Sequence, residues 1–139
     1  MSVIATDVSR FSALIKFAPF LSEGYHVEVV TANEATAKTY ALGQTLGKVT
    51  SGGKYKIATQ AAVDGSQNVA GIFIGDVLGS TLPLSVAGTT DTKVLVLVRG
   101  PAQIAQGALV WDASFTTQGQ KDTAFAGMEA AGVLRVTTL

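Results

Sequence analysis

Glycine interrupts this 139-residue chain fifteen times, and the segments between are short runs of aliphatic and β-branched residues. Each glycine inside a helix costs about 1 kcal/mol relative to alanine, so punctuation this frequent works against long helices. Short strands joined by tight turns use the same residues well, because turn positions with positive φ suit glycine. The spacing predicts a compact, mainly β domain with one or two short helices. A chain of this length buries roughly 68 to 70% of its unfolded surface, so one core suffices without metal or disulfide. The sequence contains no cysteine, which excludes thiolate chemistry and fits a reducing compartment.

Several segments can be assigned individually. Tyr25, Val27 and Val29 alternate with His26, Glu28 and Val30, the period of a strand with one covered face. Residues 46–58 read as two β-prone runs around Ser51-Gly52-Gly53, a hairpin whose paired glycines supply positive φ. Val63-Asp64-Gly65-Ser66-Gln67 makes a further turn, and Asn68 to Val77 resumes an extended path. Lys93 to Gly100 contains five consecutive apolar β-formers, expected to be the central strand covered on both faces. After Pro101, the residues Ala102, Ile104 and Ala105 predict a helical turn that Gly107 interrupts. Asp122 or Thr123 is expected to cap a helix over residues 124–131, with Gly132 as its left-handed stop and residues 133–139 returning as a strand. The compositional break at Gly24 separates an apolar N-terminal segment, residues 1–23, from the β domain, residues 24–139.

Charge narrows the function. Ten basic residues balance ten acidic ones, and charged residues are 14% of the chain against about 25% in an average domain. No net field steers a polyanion or a membrane surface, so neither nucleic acid nor membrane is an expected partner. Residues 1–21 are too interrupted by Asp7, Arg10, Lys16 and Pro19 for an export signal, and the longest uncharged run, Val77 to Thr90, is too short and broken to span a bilayer. The expectation is a soluble protein whose neutral surface becomes covered by other protein.

Motifs for catalysis are absent. Gly43 to Val49 misses the phosphate-loop spacing and reads as a turn entering a strand, and Ser51-Gly52-Gly53-Lys54 spells a serine nucleophile motif on a glycine turn where it cannot work. His26 is the single histidine and reads as a surface or interface residue. The carboxylates fall singly, as turn and cap residues, with no metal-ligand spacing. Lys48, Lys54 and Lys56 surround Tyr55 and read as a solvated edge before a stacking platform. Trp111 is a core anchor or, second, an interface hot spot. Ile4, Val8, Phe11, Leu14, Ile15, Phe17 and Phe20 make the N-terminal segment either a packed element or an arm that orders on a partner.

In order along the chain stand "LGQTLGKVT", "VDGSQNVAGI", "VLVRGPAQI", "ALVWD" and "KDTAFAGMEAAGVLRV". This series resembles the lambda-type head decoration proteins of tailed phages, over about Tyr40 to Val136. The resemblance implies a β-clip-like compact barrel with an N-terminal arm, no enzyme activity and no cofactor. It implies a homotrimer on the outer surface of the expanded head, made in the host cytoplasm and bound to the major capsid protein. By segment, the arm would carry the apolar residues named above, from Ile4 to Phe20, onto the capsid, with Arg99, Pro101 and Trp111 as subunit contacts. The alternatives are another phage structural or surface module, such as a tail or fibre component, and a small trimeric β-clip hydrolase.

Overall fold

The computed structural model describes residues 15–17, 26–76 and 83–136. Its centre is a closed five-stranded barrel in the order β2, β5, β4, β6, β8. The strands are β2 (Val27–Ala32), β4 (Thr45–Lys48), β5 (Tyr55–Ile57), β6 (Val69–Asp76) and β8 (Thr92–Leu97). β8 pairs antiparallel with β2 on one side and β6 on the other, which makes it the middle strand of the longest ladders. Val94, Val96 and Leu97 are fully buried, while Leu95 is partly exposed.

The glycine hairpin forms as its sequence dictates. Leu46 faces Ile57 and Lys48 faces Tyr55 across the β4–β5 ladder, and Gly52 and Gly53 have φ of 91° and 73°, values that favour glycine over any side chain. β2 also forms, and its inward face carries Val30 and Ala32, whereas Val29 is 55% exposed. A two-stranded ribbon of β3 (Lys38–Tyr40) and β7 (Leu84–Val86) attaches outside the barrel.

A second sheet has the order β1, β9, β10, where β1 is Ile15–Phe17, β9 is Ala102–Ala105 and β10 is Val133–Val136. The expected helical turn after Pro101 is this strand β9, and the single helical turn falls later, a 3-10 turn at Gln106–Ala108. Ile104 is fully buried and lies between Ile15 and Arg135 in the two ladders, so tertiary pairing overrides a weak local preference. Pro101 precedes the strand, where its missing N–H breaks no ladder bond.

The helix α1 spans Gln118–Ala130 and starts earlier than its apolar residues suggest. Thr117 is the N-cap: its hydroxyl accepts from the Gln120 N–H at 3.2 Å and the Gln120 side chain accepts from the Thr117 N–H at 3.3 Å, a reciprocal capping box. Asp122 is therefore inside the helix, paired with Gln118 and Arg135. The stop at Gly132 stands as expected, with φ of 94°.

Two apolar clusters result. One fills the barrel with Leu46, Tyr55, Phe73, Val94 and Val96, and Tyr40 and Val86 seal it from the ribbon. The other lies between barrel, α1 and the second sheet, built on Ile72, Leu97, Ile104, Phe125 and Met128. Burying one such aliphatic or aromatic side chain is worth roughly 1.5 to 3 kcal/mol, so α1 is held by packing rather than by propensity.

Candidate functional site

Among the described residues no three His, Cys, Asp or Glu side chains come together to hold a metal. His26 is fully buried, with Nδ1 3.0 Å from the Arg99 carbonyl, so it is neither a surface residue nor an open base. It sits inside because it packs one residue before β2, against the turn that follows β8. Tyr55 is also buried, its hydroxyl pushed above its ordinary pKa first by burial and then by the Glu28 charge. It offers no ring for stacking. Lys54 and Lys56 pair instead with Asp91 at 2.9 Å and Asp64 at 3.1 Å, and β4 and β5 lie within the closed barrel rather than at an edge.

The carboxylates bind their own fold. Asp64 is held below the usual carboxylate range by the Ser66 hydroxyl and N–H, aided by Lys56. Asp91 is lowered by Lys54 and then Asn33, and Asp122 by Gln118 and then Arg135. Glu34 departs from the expected turn or cap role, since it is 4% exposed. Its Oε2 accepts from the Tyr40 hydroxyl and, at 2.8 Å, from the Ile57 N–H, and its carbonyl accepts from Thr89 at 2.6 Å. One side chain thus ties the β3–β7 ribbon to the barrel. Burial, with Glu34 beside it, holds the Tyr40 hydroxyl well above its ordinary pKa.

The three-stranded sheet carries the described part of the predicted arm. β1 lies on its outer side, antiparallel to β9, with Ile15 facing Ile104 and Phe17 facing Gln103. Ile15 packs on the buried cluster. β10 runs parallel to β9 on the other side, and Leu134 in it is 48% exposed. Two backbone bonds fix the corner where β9 and β10 begin: Gly100 N–H to the Ala131 carbonyl at 2.9 Å, and Ala102 N–H to the Gly132 carbonyl at 3.1 Å.

Of the predicted contact residues, Ile15, Phe17, Arg99 and Pro101 lie on or beside this sheet. Ile4, Val8, Phe11, Leu14 and Phe20 lie outside the described residues, while Ile15 and Phe17 belong to β1. Arg99 and Pro101 flank Gly100 at the corner; Arg99 is ion-paired with Glu28, and Pro101 is exposed. Trp111 belongs to a different part of the surface. It is partly buried, edge-on to Phe115 at 5.0 Å and tilted against Phe125 at 6.4 Å, with Lys121 at 6.0 Å over its ring. Its role as a packing residue is met within the chain. Leu134 escaped the sequence reading, although its position in an alternating terminal strand was the available signal.

No helix among the described residues is long and apolar enough to cross a membrane. A model of the family described as bacteriophage lambda head decoration protein D matches residues 20–133, which takes in the barrel, the ribbon, β9, α1 and the start of β10. The match begins after β1. A search of curated proteins returns no match to the chain.

Proposed function

Because the chain belongs to the bacteriophage lambda head decoration protein family, we propose that it binds the outer surface of an expanded phage head as trimers at three-fold positions and clamps the shell against the pressure of packaged DNA. The family match over most of the chain carries this reading. It is a family of structural proteins, and its setting is the virion capsid. Synthesis in the host cytoplasm and attachment after expansion complete the proposal.

The arm of residues 1–23 would make the contact with the major capsid protein, through Ile4, Val8, Phe11, Leu14, Ile15, Phe17 and Phe20. The position of β1 supports this: it is an edge strand of its sheet, with β9 as its one partner strand among the described residues. An extended arm that adds to a strand of the shell gains backbone hydrogen bonds and buries its aromatic rings. Arg99 and Pro101 at the exposed corner, with Trp111, would lie at subunit contacts. A trimer makes each modest contact three times, and linked binding events reinforce one another by raising effective concentration.

Co-sedimentation with expanded capsids stripped of decoration tests the proposal. Saturable binding near three copies per three-fold site supports it, and absence of binding to any such shell rejects it.

A further inference from the structure

The barrel is closed between β2 and β5 by a single pair, Ala32 with Tyr55. Among the described residues β2 is otherwise held from one side only, by β8, over six residue pairs. The Val98 N–H donates to the His26 carbonyl at 2.8 Å, which sets the phase of that ladder. In an antiparallel pair hydrogen-bonded and non-bonded pairs alternate, so His26, Glu28, Val30 and Ala32 exchange bonds with β8. Val27 and Val29 therefore turn their N–H and C=O groups away from β8, and neither has a backbone partner on that side among the described residues.

That edge borders a groove of about 330 Å³ between residues 28–31 and the hairpin tip at Lys48, Gly52, Gly53 and Lys54. At the tip, the Gly53 N–H donates to the Val49 carbonyl at 3.1 Å. Charge in the groove is partly matched. Glu28 pairs with Arg99 and Asp91 with Lys54, but Lys48, exposed on the same wall, has no carboxylate in ion-pair range among the described residues. An unpaired strand edge is a template for an added strand, and the spare ammonium selects one carrying a carboxylate.

Resting on the capsid-decoration reading above, we propose that this groove takes an extended acidic segment of the shell subunit as an additional strand beside β2, at a site separate from the arm. A second copy of this chain does not fit as the occupant. Its described outer strands β1, β3, β7 and β10 carry no acidic residue, and Glu28 on the open-edged β2 is already ion-paired with Arg99, while Asp64, Asp91 and Asp112 lie in loops and Asp122 and Glu129 in α1.

Two substitutions separate the groove from the fold. Val29→Pro removes the outward N–H without breaking a bond to β8, and Lys48→Glu reverses the spare charge on an exposed side chain. The full chain and both variants are titrated onto stripped, expanded capsids, and hydrogen exchange over residues 27–31 is compared free and bound. Each variant is expected to bind at least about tenfold more weakly, the scale of one charge-assisted hydrogen bond, with exchange in the wild-type chain slowed on the shell. Unslowed exchange over this segment, or undiminished binding by Lys48→Glu, overturns the groove and leaves decoration standing. A wild-type chain that binds no shell overturns both. Should Val29→Pro melt early, Lys48→Glu and the exchange measurement decide.

Discussion

The carbonyl oxygen of Gly132 occupies the place a side chain on Gly100 would need: a β-carbon built there would lie 1.9 Å from it. Neither atom is at the end of a flexible chain, so the clash cannot be relieved by a rotamer change. Gly100→Ala should force the β9–β10 corner apart and cost about 1 to 3 kcal/mol or more, the range of overpacking. Gly132→Leu fails for a second reason, its φ of 94°. Thermal melting of the two variants, several degrees below wild type, is the expected result, and an unchanged midpoint for Gly100→Ala would sink this account of the corner.

Tyr40→Phe should be more costly than its lost oxygen suggests. The Glu34 carboxylate stays buried and, among the described residues, keeps only the Ile57 N–H as its side chain's partner, a deficit worth about 1 to 3 kcal/mol. Glu34→Gln retains an acceptor and should cost less than Glu34→Ala. The pH dependence has a definite sign. The folded hydroxyl titrates above the ordinary 10.0, so its contribution is whole below that pH and is lost as pH rises beyond it. Urea midpoints between pH 8 and 11 should fall for wild type and fall less for Tyr40→Phe.

Thr117→Ala removes half of the capping box at the start of α1. Loss of about 1 kcal/mol is expected, read as a lower urea midpoint with an unchanged slope. A match to wild type would mean that Gln120 alone holds the first turn.

Two truncations divide the N-terminal segment. A chain starting at Glu23 loses β1, so the outer side of β9 is uncovered and Ile15 leaves the cluster; both stability and capsid binding should drop. A chain starting at Leu14 keeps β1 and should melt close to wild type while still binding shells poorly, because Ile4, Val8 and Phe11 are gone. Full binding by the shorter arm would move the capsid contact into the folded body.

The elements legible in the sequence are those whose cause is local. The Ser51-Gly52-Gly53 hairpin, the apolar run of β8 and the stop at Gly132 each follow from residues adjacent to one another. Those that escaped depend on distant partners. Ala102 to Ala105 is a strand because Ile15 and Arg135 flank Ile104 in their ladders, and no window around Pro101 contains either residue. Glu34 is polar and lies in a polar stretch, so its burial follows only from the meeting of Tyr40 and Ile57. Of the proposed contact surface, the apolar arm and the corner at Arg99 and Pro101 are readings of the sequence. The open side of β2 is not, since it is a matter of register, and Val29 has the same side chain whether its backbone is paired or not.

The sheet that carries β1 has a kinetic consequence. β9 lies between strands drawn from opposite ends of the described chain, Ile15–Phe17 and Val133–Val136, whereas the barrel closes without β1. Joining such remote segments is repaid only after the intervening chain is ordered, and non-local pairing of this kind slows folding into the millisecond-to-second range. β1, held by two residue pairs, is therefore expected to pair only after the intervening chain has folded. The segment proposed to reach the shell thus adjoins a short edge strand whose loss leaves every ladder of the barrel unbroken.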